Sequence, residues 1–297
     1  MQIHQLEYFL AVADERSFTH AADQVRVVQS AVSAGIKQLE ADLGLALFER
    51  RAREVRLTAA GQALLPHARR VIDDLRAARE AVDAVRGAVR GTVALGTMVH
   101  MGKVDLTGVL SGLDADYPDV VVKLRQTIQG TRTSLEEVRA GTLDLALVSA
   151  GPPSLQGVEH LELYAEPMVF VCPSNHRLAG VAEVEPRDAA AEPFVSFPDG
   201  WGNRTEFERA LRALGLSRTI RTEVVSFDLA LELVQARLGV AVLPVSATLG
   251  AAGVHVAPLA GLDLVWRIQL VWSSRRPLSA AAQVLVEAFR GASRVLG

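Results

Sequence analysis

Between residues 64 and 85 the apolar side chains Leu64, Ala68, Val71, Leu75, Ala78, Val82 and Val85 step by alternating intervals of four and three. That is a heptad a/d seam, the spacing of a helix that pairs with another helix, and it separates a stretch before a long helix from a stretch after it. In residues 73–80 (DDLRAARE) all five charged side chains lie off the seam, which favours a second helix as partner over packing on its own domain. Thr58 stands where it can cap this helix, whose body is expected to reach Arg86. Pro66 falls inside it as a candidate kink, and Gly87 and Gly91 come next as stop and hinge.

Ahead of the seam, helical periodicity opens the chain. Leu6, Phe9, Leu10 and Ala13 share one face, and Ser17 is a break and a candidate cap. A second, short helix is predicted over 18–25, with Phe18, Ala21, Ala22 and Val25 inward. After Arg26-Val27-Val28 a third runs over 29–43, where Val32, Ile36, Leu39 and Leu43 form one stripe and Gly44 supplies the stop. Residues 45–57 suit two short strands with a basic tip.

A helix-turn-helix needs a third helix with one face buried and the other carrying small or polar groups that fit a major groove. Gln29, Ser30, Ser33, Ala34 and Lys37 occupy that other face. Gln29 can pair with adenine in bidentate fashion, and Lys37 can reach a guanine or a phosphate. Arg50, Arg51, Arg53 and Arg56 read as a wing gripping phosphate or the minor groove. A three-helix packing module with a solvated polar face satisfies the same spacing.

Beyond residue 91 the pattern changes to alternating strands and helices. Strands are predicted at 92–95, 120–125, 143–148, 168–172, 194–196, 220–225, 240–243 and 264–272. Helices are predicted near 105–116, 131–140, 203–214, 227–238 and 278–294. Such alternation argues for α/β lobes with mostly parallel sheets.

The bulk numbers fit this division. At 297 residues two or three domains are expected. Residues 1–90 hold 13 basic and 12 acidic side chains and the remainder 18 and 22, so the net charge of −3 leaves room for the basic cluster at 50–56. Cys172 is the only cysteine, which excludes an intrachain disulfide and a cysteine-based zinc site. The seven histidines are scattered without HExxH spacing, and neither GxSxG nor a P-loop occurs. Asp144 reads as structural. No catalytic residue, metal or cofactor is expected. The first residues lack the marks of a signal peptide and no apolar run approaches a membrane span, so a cytoplasmic protein is expected, without a membrane partner.

The stretches LEYFLAVADERSFTHAADQV, QSAVSAGIKQLEADLGLALFERR and VRLTAAGQALL resemble the LysR-type transcriptional regulators, densely and collinearly over residues 5–66. AGTLDLALVS and LGVAVLP continue the likeness more loosely. The resemblance implies an α/β protein with a helix-dominated winged helix-turn-helix domain over 1–58 and a linker and dimerisation helix over 59–90. An effector-binding region over 91–297 would resemble periplasmic binding proteins, with one lobe at 92–164 and 266–297 and the other at 165–265. It implies a homodimer through Leu64, Ala68, Val71, Leu75, Ala78 and Val82, usually assembled as a tetramer on an inverted-repeat DNA operator. RNA polymerase is a further candidate partner. Effector binding would change the DNA geometry.

Three positions depart from the family pattern. Val28 stands where a capping serine is usual, Ser30 where a proline is usual, and Ala34 where an arginine is frequent. The effector site implied by resemblance comprises Thr97, Met98, Val99, Thr127, Ile128, Gln129, Val148, Ser149, Phe197, Pro198 and Ser226. Its hydroxyls and helix N-termini suit a small carboxylate or similar metabolite, with Arg204 as an added charge and His100 as a neighbour. The competing reading is an α/β enzyme whose N-terminal helices only dimerise; it calls for a catalytic constellation that the sequence does not display.

Overall fold

The computed structural model describes residues 1–51, 54–85 and 89–296. It divides into two compact units, Met1–Ala88 with Ala140–Thr142, and Val89–Arg139 with Leu143–Gly297.

In the first unit α1 (Ile3–Glu15) buries Leu6, Phe9 and Val12 and ends at Arg16 in the left-handed region. The Ser17 hydroxyl accepts the His20 N–H (3.3 Å) and starts α2 (Phe18–Gln24). The turn passes through Arg26, also left-handed at φ 56°, into α3 (Gln29–Leu43), which buries Val32, Ile36 and Leu39 and stops at Gly44. Next come β1 (Phe48–Arg51) and β2 (Glu54–Leu57), antiparallel with Phe48 opposite Leu57. Glu40 of α3 accepts the backbone N–H groups of Leu47 (2.7 Å) and Phe48 (3.3 Å), which ties the hairpin to the helix.

The long helix α4 (Ala59–Val85) comes after the hairpin and runs through Pro66. Thr58 donates its hydroxyl to the Ala46 carbonyl (2.7 Å) and accepts the Gly61 N–H (3.1 Å). Only glycine fits at 61, because a Cβ there would collide with the Leu47 carbonyl. Leu64, Ala68 and Ile72 pack into the core formed with α1, and Arg69 pairs with Asp14 at 2.6 Å. This corrects the predicted seam. Ala68 is only 1% exposed and so is spent on this core, and Leu64 is partly buried against it. Their stripe meets α1 first, and the open seam begins at Val71.

The second unit comprises β3 (Gly91–Thr97), α5 (Leu106–Asp116), β4 (Val120–Gln126), α6 (Thr131–Ala140) and β5 (Leu145–Val148), then β6 (Val158–Pro173), α7 (Pro186–Ala190), β7 (Pro193–Ser196) and α8 (Gly202–Ala213). The chain continues through β8 (Thr219–Glu223), α9 (Phe227–Gln235), β9 (Ala241–Pro244), β10 (Val254–Ala257), β11 (Val265–Ser273) and α10 (Ala280–Leu296). One sheet has the order β10-β6-β11-β5-β3-β4, with β9 also on β6, and β7 pairs with β8 separately.

Mostly parallel pairing was the expectation, and the structure corrects it. β3 is parallel to β4 and β5, as β7 is to β8, but β11 is antiparallel to β5 and β6, and β6 is antiparallel to β9 and β10. The cause is the pair of long crossover strands. β6 begins beside β11 in one lobe and ends between β9 and β10 in the other. Each lobe has its own core, one around Val93, Leu95, Leu145, Leu270 and Phe289, the other around Phe170, Phe194, Phe207 and Leu243.

Candidate DNA-reading helix and effector cleft

The third helix divides as its sequence pattern requires. Val32, Ile36 and Leu39 are buried, whereas Gln29, Ser30, Ala34 and Lys37 are exposed and Ser33 is half-buried. Gln29 Nε2 donates to Ser33 Oγ at 2.8 Å, so in the free protein these two groups satisfy each other along the helix. Val28 occupies the N-cap position, makes no side-chain cap, and is 69% exposed. A Cβ on Gly35 would press into the Tyr8 ring, which sets how closely α3 lies on α1. Of the wing residues, Arg50 and Arg51 lie in β1 and Arg56 is exposed on β2, while Arg53 lies outside the described residues.

Along α4 the open part of the seam consists of Val71 and Val82, 43% and 60% exposed, with Ala78 exposed and Leu75 half-buried between them. Both valines stand at heptad positions, the spacing of a helix that pairs with another helix.

In the second unit a small cleft opens between the lobes, where the ends of β3, β4 and β5 face the first turns of α8 and α9. Met98, Val99, Thr127 and Ser149 line it as expected. His100, Thr131, Trp201, Asn203, Phe227 and Trp266 also line it. Of these, sequence reasoning noted only His100. Val148 and Phe197 do not line it. Val148 is fully buried in a lobe core, and Phe197 is buried behind the wall, stacked on Trp201 at 5.6 Å and edge-on to Phe227 at 5.0 Å.

The remaining expected positions act beside the cleft. The Thr97 carbonyl accepts the Thr127 N–H, the Ile128 carbonyl accepts the Trp201 indole N–H across the lobes (3.1 Å), and Gln129 donates its N–H to Thr127 Oγ1. The Pro198 carbonyl receives the Trp201 N–H, and Ser226 caps α9 through the Leu229 N–H. Arg204 does not add charge to the cleft. Its guanidinium is engaged by Glu208 (2.7 Å), Glu223 (2.9 Å) and the Phe197 carbonyl (2.8 Å).

The cleft floor is a closed hydrogen-bond pair: Thr131 Oγ1 donates to the Ser149 carbonyl (2.8 Å) and accepts the Ser149 N–H (3.2 Å). Gly202 is required at the start of α8, since a Cβ there would run into the Ser149 carbonyl. Aromatic rings make the walls. His100 stands 4.9 Å from Phe227 and 5.6 Å from Trp266, and those two are 5.7 Å apart. Burial holds the His100 imidazole below its ordinary pKa, against the upward pull of Asp228 and Glu166, which favours the neutral ring. His100 Nε2 and Asn203 Nδ2 are buried without a hydrogen-bond partner. Burying such a group without a partner costs about 1–3 kcal/mol. Among the described residues no lysine, arginine or carboxylate lines the cleft, and no group of histidine, cysteine and acidic side chains could hold a metal ion.

Comparison with known proteins bears on both features. Residues 3–62 match the model for the bacterial regulatory helix-turn-helix protein, lysR family, and residues 86–294 match the LysR substrate binding domain. A curated relative, the HTH-type transcriptional regulator ShiR of Corynebacterium glutamicum, is 36% identical over 82% of this chain and 82% of its own. A full-length OxyR variant from Pseudomonas aeruginosa, 23% identical, superposes with a TM-score of 0.74 over 98% of this chain and 95% of that one, a likeness of fold. Full-length CbnR solved with its target DNA is 25% identical, with a TM-score of 0.51 over 99% of this chain and 100% of that one.

Proposed function

The chain belongs to the LysR-type transcriptional regulators, DNA-binding proteins with an effector-binding domain rather than enzymes, and on that premise we propose how it works. The α3 face of Gln29, Ser30, Ser33, Ala34 and Lys37 enters a major groove, and the hairpin arginines Arg50, Arg51, Arg53 and Arg56 hold the flanking backbone. Two chains pair through Val71, Leu75, Ala78 and Val82 of α4, so the operator is an inverted repeat. Pairs of dimers form a tetramer that contacts RNA polymerase on DNA in the cytoplasm. The parts are the reader over 1–58, the linker over 59–90 and the sensor over 91–297.

A small-molecule effector enters the interlobe cleft and shifts the balance between two arrangements of the assembly, which changes the bend and spacing imposed on DNA. Thr97, Ile128, Gln129, Pro198 and Ser226 shape that cleft from behind, through the backbone and cap bonds described above. No helix among the described residues is long and apolar enough to cross a membrane.

The observation that carries the DNA reading is the split of α3 into a buried apolar stripe and an exposed face of small, polar and cationic side chains. Its test is the double variant Ser33→Ala/Lys37→Ala in fluorescence anisotropy with operator DNA. Both positions lie off the buried stripe, so the thermal unfolding curve should match the parent. Affinity should fall at least tenfold, a loss of about 1.4 kcal/mol or more, and unchanged affinity would remove α3 from the interface.

A further inference from the structure

The groups that the cleft offers, and those it lacks, narrow the effector class, given that this cleft is the effector site proposed above. Trp201, Phe227 and Trp266 give it apolar aromatic walls, which suit the face or edge of an apolar ring. Asn203 is only 4% exposed, lies in the first turn of α8, lines the cleft, and has a buried Nδ2 donor without partner. The first turns of α6, at Thr131, and of α9, at Phe227, also meet the cleft. Helix N-termini carry partial positive charge and free N–H groups, and so favour an anion.

One negative charge can be held there. A second meets no cationic side chain among the lining residues; nearby, Arg132 is paired with Asp199, and Arg204 with Glu208 and Glu223. His100 Nε2 is the other unpartnered polar atom, and a neutral imidazole nitrogen suits a hydroxyl or a carbonyl.

We propose that the effector is a monocyclic monocarboxylate. Its ring lies among Trp201, Phe227 and Trp266, its carboxylate against Asn203 and the first turn of α8, and a polar ring substituent against His100. The cleft holds about 30 Å³, room for roughly one or two waters. Entry of a ring therefore requires the lobes to part or Trp201 to move, breaking the bond between the Trp201 indole and the Ile128 carbonyl. The Arg132–Asp199 pair, 3.0 Å across the same mouth, would separate with it. Binding should be visible in tryptophan fluorescence.

The test is a fluorescence titration of the full-length protein with 3-hydroxybenzoate, benzoate, benzamide, phthalate and succinate. The expected order is 3-hydroxybenzoate tightest, benzoate several-fold weaker, and phthalate and succinate at least tenfold weaker than benzoate. Asn203→Asp, an acidic residue that a helix N-terminus accepts, should weaken the two monocarboxylates at least tenfold while sparing benzamide. His100→Phe should abolish the advantage of 3-hydroxybenzoate over benzoate. Dicarboxylates binding as tightly as benzoate, an unaltered Asn203→Asp profile, or no binding by any ring acid would overturn the proposal. Thr127→Trp, which fills the mouth, separates the two levels. Succinate or phthalate binding that Thr127→Trp abolishes means the cleft stands and the ring class falls. Ring acids that bind Thr127→Trp unchanged mean that the cleft assignment falls, and the proposal with it.

Discussion

Cys172 limits the chemistry of the sensor half at the scale of a single residue. It lies fully buried in β6, and burial, with Glu192 adding to it, pushes the thiol up to about 11. The thiolate is the reactive form, so at pH 8 only about one thiol in a thousand is ionised. An oxidant sensor built on this cysteine is accordingly disfavoured. Labelling with a thiol-reactive dye at pH 8 should be negligible in the folded protein and complete in denaturant; rapid native labelling would contradict the burial. Arg204 shows what single residues conceal in a sequence. Its position near a helix start suggested a charge for the cleft, but a guanidinium reaches far enough to be claimed by Glu223 of β8, and that neighbour is fixed by the fold alone.

At the scale of elements, α3 and α4 carry the proposed function. Val28 leaves α3 without a side-chain cap, and replacing it by a capping residue should stabilise the helix by about 1 kcal/mol. Val28→Ser should therefore raise the melting temperature of the N-terminal unit in a thermal scan; a lower one would show that the exposed valine is packed in the folded protein. On α4, Leu75→Asp places a charge in the middle of the open seam. Light scattering should show the dimer giving way to monomer, and an intact dimer would remove α4 from the interface. The seam itself was legible as a heptad, but its first third was not assignable, because periodicity tells which face is apolar and not which neighbour covers it. Ala68 found α1. The same limit explains β6, predicted only at 168–172: in its first half Glu159, His160 and Glu162 are exposed, and that part reads as polar. Missing that half hid the antiparallel crossover and led to the expectation of parallel sheets.

At the scale of the whole molecule, the helix boundaries of the first unit and most strands of the second follow from apolar spacing and glycine stops. Gln29, Leu43 and Gly44 fall where the pattern put them. The cleft was half legible. Met98, Val99, Thr127 and Ser149 come just after strand ends and could be placed by order along the chain, whereas Trp201, Asn203, Phe227 and Trp266 come together only when the second lobe closes over the first. Both halves meet in one claim, that a dimer reads DNA through paired copies of α3. Selection of sequences from a random DNA pool by the full-length protein tests it most directly. Two half-sites in inverted order, their centres separated by whole turns of the duplex, are expected, and the enrichment should vanish with Lys37→Ala. A pool that gains no common sequence, or one enriched equally by Lys37→Ala, would contradict this reading of the molecule.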